Sequence, residues 1–166
     1  MQESPRRYYQ RPDASHLKVD TNLTSLTGNG GSIEGGKIGG GHWRYGAGLP
    51  GRTPGLELND MGYLRQADVI MQVIWGSYRI WKPFSIFRKV NINFNQWARW
   101  DFSGTRTFLG LNLGFDTQFK NYWSLGSGVS RSSGNINHSE LRGGPAIRYP
   151  GDLNNWLFLS SDERKN

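Results

Sequence analysis

The chain has 166 residues, with 20 Lys and Arg against 13 Asp and Glu, a net charge of +7, and no cysteine, which suits one domain and excludes disulfides, thiolate nucleophiles and zinc–cysteine sites. Its 23 Gly, 7 Trp, 7 Tyr and 8 Phe, with few of the residues good helices need, argue against a helical core and for many short strands and turns. It contains no run of about 18 apolar residues, which excludes a transmembrane helix, whereas a barrel strand needs only about 10 alternating residues.

Residues 1–30 are polar, contain Pro5 and Pro12 and show no hydrophobic period, so they read as an extended or loop segment. The first ten residues lack the regions of a secretory signal, which a barrel protein requires, so the chain reads as an internal or C-terminal fragment of a larger protein. Residues 31–166 read as one partial β-barrel made of an antiparallel meander of about seven strands. The first, Ser32 to Ile38, is rich in glycine and ends in the turn Gly39 to Gly41. In the second, Trp43, Tyr45, Ala47 and Leu49 alternate with Arg44, Gly46 and Gly48. A loop from Pro50 to Ala67 leads to the third, Val69 to Trp81, which carries apolar groups on both faces and stops at Lys82 and Pro83.

The fourth strand has the cleanest pattern so far, Val90, Ile92 and Phe94 alternating with Asn91, Asn93 and Asn95. Phe102 to Thr105 reverses the chain into the fifth, where Leu109, Leu111, Leu113 and Phe115 alternate with Gly110, Asn112, Gly114 and Asp116. The sixth runs from Trp123 to Ser130, and a long loop, Ser132 to Asp152, precedes the seventh at Asn154 to Ser161.

Connections after the first, third and fifth strands are short, while two of the intervening three are long, the asymmetry of outer-membrane barrels. Trp43, Trp75, Trp81, Trp97, Trp100, Tyr122, Trp123 and Trp156 are expected near strand ends as an interfacial girdle. Period two also fits a soluble β-sandwich. Faces made of Gly, Asn and Ser, poor in the charge that soluble surfaces carry, favour a barrel lumen.

The stretches GGKIGGGHWRY from Gly35 to Tyr45, PGLELNDMGYLRQAD from Pro54 to Asp68, NFNQW from Asn93 to Trp97 and RGGPAIRYPG from Arg142 to Gly151 resemble an uncharacterised outer-membrane β-barrel domain family of Bacteroidota-type bacteria. Tyr8 to Ala14 fits the same family. The resemblance covers nearly the whole chain. It implies a barrel fold in the outer membrane and an N-terminal partner module resembling a family-nine carbohydrate-binding module. It brings no catalytic residues.

No enzyme is expected, and no cofactor. Gly31 to Ile38 approaches a phosphate-binding loop, but Ile38 occupies the position that needs Ser or Thr. Glu57, Asp60 and Asp68 share a loop without the spacing of a calcium site, and His16, His42 and His138 lack a zinc motif. Trp97, Arg99, Trp100 and Asp101 are the candidate ligand or interface residues, since exposed aromatics stack on sugar rings. Arg65, Arg142 and Arg148 are candidate loop contacts to anionic lipid. The expected function is a barrel segment that anchors or exports a carbohydrate-binding module. Its expected partners are outer-membrane lipid, glycan, and the remaining strands or a second copy needed for closure. The alternative is a soluble carbohydrate-binding sandwich. Basic residues are scattered rather than striped, so no nucleic-acid partner is expected.

Overall fold

The computed structural model describes residues 1–58, 63–162 and 164. Eight strands form one antiparallel sheet: β1 (Gly30–Lys37), β2 (Trp43–Arg52), β3 (Val69–Ile80), β4 (Phe87–Trp100), β5 (Arg106–Phe119), β6 (Ser124–Asn137), β7 (Ile147–Arg148) and β8 (Leu153–Ser160). Strands β1 to β6 pair in chain order, and β7 and β8 both pair with β6. The expected meander is present, with one more strand than the sequence pattern predicts, because β7 lies inside the segment read as a loop. That loop is also shorter than expected. β6 continues to Asn137, although Ser130 to Asn137 is almost wholly polar and carries no hydrophobic signal.

Register explains the two faces. Successive side chains alternate, so Tyr45 and Ala47 on β2 share a face with Ile74 and Tyr78 on β3, and with Ile92 and Phe94 on β4. Cross-strand pairing continues that face through Leu111 and Leu113 on β5, Val129 on β6 and Leu157 and Leu159 on β8. The opposite face carries Ser77, Asn91, Asn93, Asn95, Asn112, Asp116 and Ser130, together with Gly46, Gly48, Gly110, Gly114, Gly126 and Gly128. Its polar side chains bond across strands: Ser77 to Asn91 at 3.0 Å, Asn95 to Asn112 at 3.2 Å and Asn112 to Ser130 at 2.9 Å.

Three tryptophans predicted at strand ends lie elsewhere. Trp75, Trp97 and Trp156 sit within their strands on the polar face, each over a cross-strand glycine. A Cβ at Gly110 would come within 2.7 Å of the Trp97 ring and 2.9 Å of Phe108, and one at Gly128 within 2.5 Å of Trp156. The glycines are therefore seats for flat rings. The end of the sheet that carries the short turns does hold an aromatic rim. There Trp43 packs on Tyr78 at 4.8 Å, and Phe87 on both Phe84 and Phe119 at 5.4 Å. Trp81 and Trp123 are exposed beside them.

The sheet is not closed: among the described residues, the outer edges of β1 and β8 pair with nothing. Among the described residues no second layer covers either face, and the apolar face stays open to its surroundings, with Leu113 50% and Leu157 74% exposed. The buried apolar cluster, Leu56, Leu64 and Ala67, lies instead at the end of the sheet opposite the aromatic rim, under the long connections.

Candidate functional site

At that end residues 1–29, residues 53–58 and 63–68, the β4–β5 hairpin and residues 138–152 converge into a cap. The N-terminal segment contains no strand, yet it is anchored at several points. Arg6 Nε donates to the Leu64 carbonyl at 2.8 Å, and the Ala67 N–H donates to the Arg6 carbonyl at 3.1 Å. The buried Arg7 guanidinium donates to the Leu56 carbonyl at 2.6 Å and to Glu57 at 2.9 Å. Asp13 accepts from the Ala146 N–H at 2.7 Å, tying the segment to the last long connection.

Asp68 is the hub of the cap. It is 4% exposed and takes a left-handed backbone with φ of 56°, which turns its carboxylate inward just before β3 begins. Its oxygens lie 2.9 and 3.0 Å from His16 Nε2, accept from the Phe102 N–H at 3.0 Å, and receive Arg11 Nη2 at 3.4 Å. One carboxylate thus joins the N-terminal segment, the start of β3 and the β4–β5 hairpin. Asp101 shapes that hairpin, accepting from the N–H groups of Ser103 and Thr105, both at 3.0 Å.

Two polar cavities lie within the cap. The first, of about 230 Å³, is lined by Arg6, Arg7, Arg11, Arg65 and Arg99, with Asp68 and His138 among its other walls. The second, of about 250 Å³, runs between Arg11, His16, Asp101, His138 and Arg148. His138 borders both. Burial pushes its pKa below the ordinary histidine value, the Arg11 guanidinium adds to that, and Asp101, Asp13 and Asp68 oppose it.

The four residues predicted as a ligand site do not converge. Trp97 and Arg99 are on the polar face of β4, and Trp100 is on the other. Trp97 stacks beside Phe108 at 6.4 Å, and Asp101 is buried in its turn. Arg99 reaches Asn135 at 2.8 Å and Thr107 at 3.3 Å, joining β4, β5 and β6 below the first cavity. Arg65 and Arg148 border the two cavities, one each, and Arg65 leans on Tyr63 at 5.6 Å. Arg142, exposed with φ of 50°, stands apart on the last connection.

Glu57 and Asp68 are each paired with arginine, and Asp60 falls outside the described residues. Of the three histidines, His42 is at the far end against the Arg79 carbonyl at 2.7 Å, while His16 and His138 share the second cavity. Sequence reasoning missed Arg6, Arg7, Arg11 and His16 as cap residues. Their partners are 49 to 58 positions away, and no local pattern marks such pairings.

Comparison with known proteins finds no match among curated proteins and none among solved structures. A family model does match, over residues 3–166, and the chain accordingly belongs to the family described as Domain of unknown function (DUF5916).

Proposed function

We propose that this sheet is a segment of a transmembrane β-barrel in an outer membrane, with its apolar face toward lipid and its Asn, Ser and Gly face toward the lumen. The observation that carries the reading is the uncovered apolar face, which runs across the sheet from Leu49 on β2 to Leu159 on β8. Soluble monomers rarely expose contiguous apolar patches beyond a few hundred Å². Strands β3 to β6, of 12 to 14 residues, exceed the about 10 residues that cross a bilayer at a tilt. The aromatic rim at one end of the sheet and the polar cap at the other suit the two membrane–water boundaries.

Unpaired strand edges are not tolerated in hydrocarbon, so β1 and β8 require further strands or a second copy of the chain. In this reading the barrel anchors or exports a carbohydrate-binding module, and its function resides in the lumen and the cap. Half-buried Trp75 and Trp97 and exposed Trp156, among asparagines, offer sugar-stacking surfaces on the lumen side, which supports glycan as a partner. The soluble sandwich has less support, because a sandwich needs a second layer over the apolar face.

The test is far-UV circular dichroism and size exclusion on matched samples with and without detergent. Defined β-structure and a discrete size only in detergent support the barrel. A folded monomer in plain buffer overturns it.

A further inference from the structure

The first cavity of the cap is rich in cations, and two of them keep a buried donor without a partner among the described residues. Arg6, Arg7, Arg11, Arg65 and Arg99 line it, against one carboxylate among the described residues, that of Asp68, which is already shared among Arg11, His16 and the Phe102 N–H. Glu57, outside the lining, pairs with Arg7. The Arg7 and Arg11 side chains are 0% and 3% exposed, yet the Nε of each has no hydrogen-bond partner among the described residues. A buried donor left unsatisfied costs roughly 1–3 kcal/mol, more when it belongs to a charged group. Two such donors, on residues that line one cavity, point to an anionic acceptor. The space, about 230 Å³, holds roughly eight waters' worth of liquid, ample for a tetrahedral oxyanion.

We propose that this cavity binds a phosphate group, held by the Nε donors of Arg7 and Arg11 and by the guanidinium groups of Arg6, Arg65 and Arg99. Guanidinium forks donate paired N–H groups to oxyanions, and an excess of several positive charges favours a dianion over a carboxylate. The phosphate is either free in solution or carried on a lipid headgroup at the membrane boundary. The site does not depend on how the barrel closes, because all of its walls come from this chain.

The test titrates the full chain, in whichever medium holds its β-structure, with inorganic phosphate at constant ionic strength, read by calorimetry against chloride. A second arm dopes the detergent micelles or added vesicles with phosphatidylglycerol. Saturable binding of either probe, at least tenfold weaker in Arg11→Lys and unchanged in Arg131→Gln, is the expected result. Arg11→Lys keeps the charge but loses the fork, and Arg131 lies on the apolar face of β6 and lines neither cap cavity. Binding by inorganic phosphate identifies a soluble ligand, and binding only by the headgroup identifies a lipid. If Arg11→Lys disturbs the circular dichroism spectrum, Arg65→Gln, at an exposed rim position, replaces it with an expected loss of threefold or more. Absence of saturable binding, or binding that follows ionic strength alone and ignores these substitutions, overturns the proposal.

Discussion

Replacing Asp68 separates the cap from the sheet more directly than any other change. Asp68→Ala leaves Arg11 buried without its carboxylate, removes the partner of His16 and orphans the Phe102 N–H. Breaking a buried ion pair by deleting one partner costs about 3–5 kcal/mol. Asp68→Asn retains an acceptor for Phe102 and tolerates the left-handed backbone, so its cost is nearer to a lost charged hydrogen bond, about 1.5–3 kcal/mol. The cost falls on local opening of residues 1–29, since the strand ladders do not depend on this carboxylate. Limited trypsin cleavage after Arg6 and Arg7 reports that opening, and its rate follows the open population when reclosing is fast. At about 1.4 kcal/mol per tenfold, Asp68→Ala accelerates cleavage by a factor on the order of 100 to several thousand, and Asp68→Asn by on the order of 10 to 100. Circular dichroism of the sheet stays unchanged in both. Wild-type cleavage rates in Asp68→Ala, or loss of the sheet together with the cap, would refute this account of how the cap is held.

Two further perturbations test other parts of the structure. Gly110→Ala pushes a Cβ into both Trp97 and Phe108 and destabilises the sheet by about 1–3 kcal/mol in detergent unfolding, whereas Gly114→Ala, whose Cβ meets nothing closer than 3.9 Å, changes little. His138 gives the cap a pH dependence. Its folded pKa lies below the ordinary value of 6.5, so its neutral form is the one the cap prefers. The unfolded cap therefore takes up the proton first, and protection against trypsin is full above about pH 6.5 and declines as pH falls toward the folded pKa. The groups facing His138 are Arg11, Asp101, Asp13 and Asp68, and His138→Gln removes the His138 part of this decline.

The sheet was legible where hydropathy alternates cleanly. Asn91 to Phe94 on β4 and Leu109 to Asp116 on β5 revealed both strands and their faces, because each has one apolar and one polar series. The pattern fails at the upper end of β4, where Gln96 and Ala98 fall on the apolar face and Trp97 on the polar one. There the ring is needed to cover Gly110, a requirement visible only once the cross-strand register is known. The polar run of β6 beyond Ser130 concealed both its length and the short partner β7 for the same reason. Backbone pairing, rather than side-chain burial, extends the strand there. The cap was the least legible part. Residues 1–29 have no period because they form no regular element, and their place is fixed by Arg7, Arg11 and His16 reaching carboxylates far along the chain. Ion pairs of that kind are a property of the assembled loops.

The central claim is that one face of the sheet meets hydrocarbon and the other meets water. The absence of native cysteine permits single substitutions to read this out residue by residue. Cysteines placed in turn at Ile92, Asn93, Phe94 and Asn95 on β4, and at Leu111, Asn112 and Leu113 on β5, are exposed to a water-soluble maleimide after the chain is reconstituted in lipid vesicles. Alternation is predicted, with the Asn positions labelled and the Ile, Phe and Leu positions protected. Equal labelling on both faces would contradict the membrane assignment.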